Sequence, residues 1–443
     1  MKDLRLQFYQ KIEDLPISKI AKEQGFEKRK PKKIEATHFV VGFFLMLQSN
    51  GNSLRDWASK VNSLNDKLVS KQMIDKKLQF RQVDFAHELL LEAIAQSLRK
   101  EDPVHKAKLF EAFHKVYVED STCLKLPDNL HSIFPGPHSS KGPCATARVQ
   151  LCIELLSESV ENILLQSYRD IDQKHASDIV SILQPGDLVI RDRGFWSLKV
   201  FRQIIDKEAF VLSRFQYGTW CMDPKTHKNI ELLKYLKAKD RHGIHTVDMP
   251  ILLGKEEKLP MRLVAIKVDQ STYQARRRKA LKDRCQSINH SQDYLALLQW
   301  NIFITNVEPD TWTPMDILRA YRFRWRIEII FKCWKSKFNI MHLFENKHSL
   351  SQARVVITCL LFLLFLLLFF VRWTIEFTRL VYEHTRKLVS VISLAQFIQQ
   401  NFQELITAQN CLSFVERIAY FCTYQKRKDR VDYLELLYCE KLS

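Results

Sequence analysis

Two aspartates in this chain follow short runs of β-branched and other apolar residues. Asp120 comes after residues 116–119 and Asp192 after residues 188–191, and turn-forming residues follow each of them. Such runs predict β-strands, and a carboxylate at a strand end can project into a crevice at the edge of a sheet. A single Asp at a strand end is unremarkable because Asp often begins turns. The two aspartates therefore indicate a functional site only if further residues of suitable chemistry lie near them.

A third carboxylate lies on a predicted helix further along the chain. At about 100° per residue, Tyr321, Arg324, Glu328 and Lys335 share an arc of about 60° over four turns. The adjoining arc is apolar and consists of Phe323, Ile327, Ile330, Phe331 and Trp334. The spacing predicts a helix that packs its apolar arc on a sheet and holds the polar row at the rim of a crevice.

Two interpretations of this polar row are open. Arg324 and Glu328 have the i,i+4 spacing of a surface salt bridge, which would need no function. That interpretation leaves the alignment of Tyr321 and Lys335 on the same face unexplained.

The functional interpretation is a phosphodiester site. Asp120, Asp192 and Glu328 would supply the hard oxygen ligands that Mg²⁺ prefers, with Mn²⁺ as a substitute. Two such ions about 4 Å apart would activate an attacking oxygen and stabilise a leaving one. Arg324 could bind a neighbouring phosphate through two parallel hydrogen bonds, and Lys335 could bind another through its single charge.

The composition supports a partner that carries negative charge. The chain has 443 residues with 68 Lys+Arg against 50 Asp+Glu, a net charge of +18, which points to nucleic acid or an anionic membrane surface.

The length of the chain predicts two to four domains. The 10 cysteines are dispersed without metal-ligand spacing, which predicts reduced thiols inside a cell. The start has no apolar stretch, and we expect no secretory signal.

The predicted secondary structure that must position these residues changes along the chain from helices to strands. Residues 1–105 read as helical and contain a candidate helix-turn-helix at 53–61 and 70–78, beside a basic arm at 28–33. A plain helical bundle is the alternative. Four strands are predicted next, at 115–119, 149–156, 162–167 and 188–191, with a helix at 175–183 between the last two.

The remaining segments are predicted to be β-rich and then helical. Strands are predicted at 210–214, 246–253, 262–268 and 300–305, with a basic run at 276–279 among them. A helix is predicted at 314–337. Residues 355–371 are apolar at nearly every position, and an apolar helix of about 26 Å is either a core helix or a short membrane span.

The helical signature resembles that of a known family. Tyr321, Arg324, Glu328 and Lys335 match, without a spacing error, the Y-R-E-K signature of the insertion-sequence transposases of the insertion-sequence-four type. The segment from Asp120 to Thr122 resembles the family's first-Asp region, and Asp192-Arg-Gly-Phe195 resembles its D-x-G-[YF] region. The resemblance runs from about residue 115 to residue 370.

The resemblance implies an α/β fold with an RNase H-like catalytic core that carries a D-D-E triad. Its first part would be residues 106–204 and its second part 306–380, with a mainly β domain at 205–305 inserted between them. That arrangement fits the 136 residues from Asp192 to Glu328, against 72 between the aspartates. Residues 1–105 would be a helical DNA-binding region and 381–443 a helical C-terminal region. Family members carry an apolar helix where 355–371 lies, which favours the core interpretation.

The resemblance also implies a reaction, namely Mg²⁺-dependent cut-and-paste transposition. Hydrolysis would free a 3′-OH at the transposon end, that hydroxyl would form a hairpin, and the reopened end would join target DNA. Tyr321, Arg324 and Lys335 would contact the DNA. Trp300 would be a further contact, since it stands 21 residues before Tyr321, the offset of a family Trp that stacks on a flipped base. An ordinary core Trp is the alternative.

The partners would be double-stranded DNA and, in the DNA complex, a second copy of the chain, in the bacterial nucleoid and away from membranes. Two alternatives remain. One is a catalytically inactive DNA-binding relative that acts as a repressor. The other is a membrane-associated basic protein built around residues 355–371.

Overall fold

The fold is taken from a computed structural model. It describes residues 10–28, 33–49, 51–99, 108–137, 142–157, 159–170, 172–282, 290–338, 340–344, 350–407 and 412–424. Residues 29–32 of the predicted basic arm, and the last residues from 425 onward, lie outside the described residues.

The N-terminal region is helical, as the sequence predicts. After helical residues 10–14, its helices are α1 (Ile17–Glu23), α2 (Ala36–Gln48), α3 (Leu54–Asn62), α4 (Lys71–Asp75) and α5 (Val83–Arg99). Ser53 caps α3, since its side chain accepts from the backbone N–H of Asp56 and the Asp56 carboxylate accepts from the backbone N–H of Ser53. Helix α4 has only five residues, so the second helix of the predicted pair is shorter than expected.

One nine-stranded sheet runs through the middle of the protein. Its strands are β1 (Val116–Leu126), β2 (Ala145–Glu154), β3 (Val160–Ser167), β4 (Leu188–Arg191), β5 (Phe210–Arg214), β6 (Cys221–Met222), β7 (Thr246–Leu253), β8 (Leu259–Lys267) and β9 (Trp300–Thr305). Their order is β3-β2-β1-β4-β5-β9-β8-β7-β6. Strands β1, β4 and β5 are mutually parallel, and the other pairs are antiparallel.

Three sequence predictions about this sheet need correction. Asp120 lies inside β1 and not at its end, because residues 120–126 continue to pair with β2. The helix predicted at 175–183 is only a 3₁₀ turn, Asp178–Ser181, since the chain must turn again at Pro185 to enter β4. The basic run at 276–279 lies on a helix, α8 (Gln270–Leu281), because Asp269 caps this segment as a helix.

Residues 205–305 are mixed rather than mainly β. Helices α7 (Leu232–Arg241), α8 and α9 (Gln292–Leu297) accompany the strands, while α6 (Leu198–Asp206) precedes them. Strand β9 pairs with both β5 and β8, so β6 to β8 extend the same sheet and do not form a second one.

The predicted helix at 314–337 is divided into α10 (Pro314–Arg322) and α11 (Trp325–Ser336). Two i→i−3 hydrogen bonds tighten the junction, from Arg324 N–H to the Tyr321 carbonyl at 3.3 Å and from Arg326 N–H to the Phe323 carbonyl at 2.9 Å. The buried Phe323 ring packs 5.1 Å from the Phe110 ring, which holds the junction in place. The backbone there stays close to helical, so the predicted polar row survives the break.

The apolar run at 355–371 lies in the core. It belongs to a continuous helix made of α12 (Gln352–Phe365), a π-helical segment (Leu366–Val371) and α13 (Arg372–Thr385). This helix is long and apolar enough to cross a membrane, but 83% of its most apolar window is buried inside the protein. The Phe44 ring of α2 lies 5.5 Å from the Phe365 ring. Helices α14 (Val391–Thr407) and α15 (Leu412–Phe421) follow it.

The two faces of the sheet bury different side chains. Val116, Val118, Leu188 and Ile190 belong to the large core shared with α11 and the long apolar helix. Their alternate neighbours in β1 and β4 belong to a second core together with α6. Because side chains alternate along a strand, residues 120 and 192 share the α11 face and residues 119 and 191 the opposite one.

Candidate active site

The three predicted carboxylates are brought to one place, and the signature Tyr and Arg contact all of them. Arg324 donates through Nη1 to Asp120 Oδ2 at 2.7 Å and through Nη2 to Glu328 Oε1. The hydroxyl of Tyr321 donates to Asp192 Oδ1 at 3.0 Å. The salt bridge between Arg324 and Glu328 that the sequence predicts is therefore present. It belongs to a larger cluster of charged side chains and is not an isolated surface pair.

The three carboxylates and Arg324 line an open cleft of about 590 Å³ between β1, the end of β4 and α11. The lining residues are Asp120, Ser121, Thr122, Asp192, Arg324, Glu328, Phe331, Lys332, Lys335 and Ser336. Lys335 thus lies where the sequence predicts it, and Lys332 adds a second cation. The Glu328 side chain is about half exposed, at 49%, so the cleft is accessible from solvent.

Burial and charge shift the pKa values of the cluster. Burial raises the pKa of Asp120 to about 6, and neighbouring Asp192 and Glu328 raise it too, against the lowering effect of Arg324 and of the Ser121 N–H. Burial and then Asp192 raise the pKa of Tyr321, which remains a hydrogen-bond donor. Burial alone would lower the pKa of Arg324, but Tyr321 and the three carboxylates raise it. The mutual repulsion of the carboxylates favours a cation between them.

This pKa predicts that metal binding depends on pH. As a predicted metal ligand, Asp120 would have to lose its proton, and its ionised fraction grows as the pH rises through about 6. We expect the Mn²⁺ affinity of the DNA-free protein to fall about tenfold for each pH unit below that value. Isothermal titration calorimetry between about pH 5 and pH 7 measures this, and Asp120→Asn should flatten the dependence. Equal affinities at the two pH values would contradict the prediction.

The donor set fits a divalent cation once the guanidinium moves. Within the described parts of the chain, no three His, Cys, Asp or Glu side chains stand close enough to hold a metal in this conformation. The reason is visible in the cluster, because the Arg324 guanidinium bonds Asp120 and Glu328 and takes the position of a cation between them. Carboxylate oxygens that converge on one positive group are suitable ligands for Mg²⁺.

A buried ion pair lies on the opposite face of the sheet, directly behind the aspartates. Arg191 donates through Nε to Glu119 Oε2 at 2.7 Å and through Nη2 to the Ala176 carbonyl at 2.6 Å. Glu119 and Arg191 are register partners in β1 and β4, and both side chains are almost fully buried. The pair therefore fixes the relative position of β1 and β4 at the last residues they pair in parallel, directly before Asp120 and Asp192.

A second network lies beside the aspartates. Arg148 donates through Nη1 to Asp172 Oδ1 at 2.8 Å and to the Ser121 hydroxyl at 3.0 Å. A Cβ at Gly194 would stand 2.8 Å from Asp172 Oδ2, so the glycine of the D-x-G-[YF] motif allows this approach.

Sequence reasoning missed both networks and also Arg214. That guanidinium lies 5.5 Å from the centre of the Tyr321 ring. The one signal in the sequence was that Glu119 and Arg191, of opposite charge, precede the two aspartates at the same offset.

Trp300 is the predicted site residue that the structure places elsewhere. It begins β9 opposite Lys267, and its side chain is buried in the second core. It does not line the cleft. In this conformation it is a core Trp, as the alternative interpretation expects.

Comparisons with known proteins show which family the chain resembles. Residues 111–364 match the family described as "Transposase DDE domain". The transposase for insertion sequence element IS231B of Bacillus thuringiensis subsp. berliner is 26% identical over 76% of this chain and 74% of that protein. The transposase for IS231D of B. thuringiensis subsp. finitimus is 28% identical over 74% of this chain and 72% of its own length.

A more distant relative and one solved structure were also found. The transposase for insertion sequence element IS1151 of Clostridium perfringens is 25% identical over 73% of this chain and 71% of its own length. A piggyBac transposase, solved by cryo-EM in a synaptic complex with hairpin DNA, is similar with a TM-score of 0.43 and 9% identity over 98% of this chain and 87% of that one. The family match covers more than half of the chain, and the chain therefore belongs to the DDE transposase family.

Proposed function

We propose that this protein is a DNA transposase that excises an insertion sequence and joins it to target DNA. The observation that carries the proposal is the convergence of Asp120, Asp192 and Glu328 in one open cleft, with Tyr321 and Arg324 bonded to them. Phosphodiester chemistry needs hard ligands for a metal and cations for the phosphates, and the cleft offers both.

Asp120, Asp192 and Glu328 are the residues that would hold Mg²⁺, as two ions, or Mn²⁺ in its place. When bound, such ions activate the attacking oxygen and stabilise the leaving oxygen of a phosphodiester exchange. The protein's own contribution is positional. The ionised form of Asp120 is needed, and Arg324 exchanges its two carboxylate partners for a phosphate, where its fork can make bidentate contacts.

The other signature residues would contact DNA around this centre. Lys335 and its neighbour Lys332 face the cleft and would bind phosphates on the side of α11 that is exposed to solvent. Tyr321 would orient Asp192 through its hydroxyl. A base-stacking role for Trp300 requires that DNA binding uncover its side chain, since only 6% of its surface is exposed here.

For the architecture, we propose an RNase H-like core formed by residues 106–204 and 306–380. The strand order β3-β2-β1-β4-β5, with only β1, β4 and β5 parallel, supports this assignment. Residues 205–305 are then an insertion that lengthens the core sheet. Residues 1–105 would bind the transposon ends, residues 381–443 form the C-terminal helical region, and two copies would act together on DNA in the nucleoid.

The test is strand cleavage by the purified protein with Mg²⁺. Its substrate is a duplex that carries the inverted repeats found beside the reading frame, labelled on one 5′ end. We expect a nick at the transposon end followed by a hairpin product, both resolved on denaturing gels. Salt-sensitive binding to the repeats without any cleavage would instead identify a repressor-like relative and overturn the proposal.

A further inference from the structure

Helix α8 is unusual because none of its residues is buried. It contains four consecutive cations, Arg276 to Lys279, and Lys282 follows directly at its C-terminal end. Asp269 caps the helix by accepting the Thr272 N–H at 2.8 Å and the Thr272 hydroxyl at 2.7 Å. The sequence therefore builds a capped helix that contributes no side chain to the core.

One arginine attaches this helix to the sheet. Arg276 donates through Nη1 to the Leu298 carbonyl at 3.2 Å and through Nη2 to Asn301 Oδ1 at 2.7 Å. The same oxygen of Asn301 accepts from Arg214 Nη2 at 3.1 Å, and Arg214 lies against the Tyr321 ring. A line of contacts therefore leads from α8 to the residue that holds Asp192.

Two cations of this line, Arg214 and Arg276, lie close to each other. Two guanidiniums meet on a single amide oxygen, and the buried Nε of Arg214 has no acceptor within the described structure. Burial, with Arg214 second, lowers the pKa of Arg276 to about 10, so it keeps its charge at neutral pH. Charged groups withdrawn from water need a partner of opposite sign, which an anion arriving from outside could supply.

Three of the other cations lie away from the side of α8 that faces the sheet. With Arg276 directed at the sheet, about 100° per residue places Arg278 and Lys282 on the outward side and Arg277 at its flank. All three are exposed, and among the residues that the structure describes no carboxylate lies within ion-pair distance of them. Within that described part of the chain, they form a positive surface without paired carboxylates.

This surface lies at the catalytic edge of the sheet. Strand β9 is antiparallel to β5, so its first residues, which hold α8, lie at the end of the sheet where β4 delivers Asp192. Three strand spacings of about 4.8 Å separate β1 from β9, or roughly 14 Å. That is about four base pairs along a duplex, which carries one phosphate charge for every ~1.7 Å of its axis.

We infer that α8 binds the phosphate backbone of the DNA duplex that occupies the catalytic cleft, a few base pairs from the reacting phosphodiester. The inference rests on the proposed function, because it takes DNA to be the molecule in the cleft. Arg277, Arg278 and Lys282 contact phosphates without reading sequence, and Arg276 transmits the position of the helix to the sheet.

The experiment compares two triple variants with equal loss of charge. One is Arg277→Gln/Arg278→Gln/Lys282→Gln. The control is Lys207→Gln/Lys255→Gln/Lys258→Gln, whose exposed lysines lie after α6 and in the β7–β8 turn, at the opposite edge of the sheet. Affinity for a fluorescein-labelled duplex of mixed sequence, about three helical turns long, is measured by anisotropy between about 50 and 200 mM salt.

We expect the slope of log K against log salt to become shallower by about 2 to 3 in the α8 variant and to be unchanged in the control. Cleavage of the inverted-repeat duplex at saturating DNA should keep the wild-type rate in the control variant. Equal slopes for the α8 variant and the control would overturn the inference. If wild-type protein binds but does not cleave, the proposed function fails independently of the result for α8.

Discussion

Asp120→Asn, Asp192→Asn and Glu328→Gln are each expected to lower the rate of strand cleavage by at least about 10³-fold. A bound metal supplies several kcal/mol of transition-state stabilisation, and each ~1.4 kcal/mol is a factor of ten in rate. The amides keep the size of the side chain and its bonds to Tyr321 or Arg324 but lose the charge that a divalent ion needs. Single-turnover cleavage of the inverted-repeat duplex measures the effect.

The controls for these variants separate chemistry from folding and binding. Asp310→Asn changes an exposed carboxylate that does not line the cleft, and it should cleave at the wild-type rate. DNA affinity in the absence of a divalent ion should be retained by all three active-site variants, because each removes a negative charge from a surface that meets DNA. Cleavage within tenfold of wild type by any one of the three would remove that residue from the metal site.

The second large effect concerns stability. Arg191→Met should lower the free energy of unfolding by about 3–5 kcal/mol, because it leaves the Glu119 carboxylate buried without its cation. Burial already raises the pKa of Glu119 against the opposing effect of Arg191, so removing the arginine makes the ionised form still less favourable. Urea unfolding followed by tryptophan fluorescence measures the change.

Two further variants make this prediction specific. Glu119→Leu/Arg191→Met replaces both charges by apolar groups and should recover most of the lost stability, since a buried pair often contributes little over a hydrophobic pair. Lys174→Met breaks an exposed ion pair with Asp170 and should cost less than about 1 kcal/mol. A double variant as unstable as Arg191→Met would mean that the cost came from packing and not from the unpaired charge.

The sequence was most informative where one element carries the whole pattern. Tyr321, Arg324, Glu328 and Lys335 share one helical face, and their spacing survives the break at the α10–α11 junction because that junction remains nearly helical. The strands before Asp120 and Asp192 were predicted because β-branched residues concentrate there. These are short-range signals that periodicity can detect.

The features that were missed depend on pairing between distant segments. Asp120 lies inside β1 because residues 120–126 pair with β2, and no local pattern distinguishes that continuation from a turn. Glu119 meets Arg191 only because β1 and β4 are adjacent, and the buried ion pair resembles two ordinary surface charges in the sequence. The basic run on α8 was placed among strands because its lack of apolar periodicity gave no helical signal.

The order in which the chain is synthesised also limits when the proposed catalytic centre can form. The strand lies between β5 and β8 in the sheet, yet it is made after both of them, and the helix that carries Glu328 is made later still. A nascent chain that already displays both aspartates and the basic helix α8 has no complete catalytic centre until more than 320 residues have been synthesised. The three proposed metal ligands can therefore meet only after most of the chain has been synthesised.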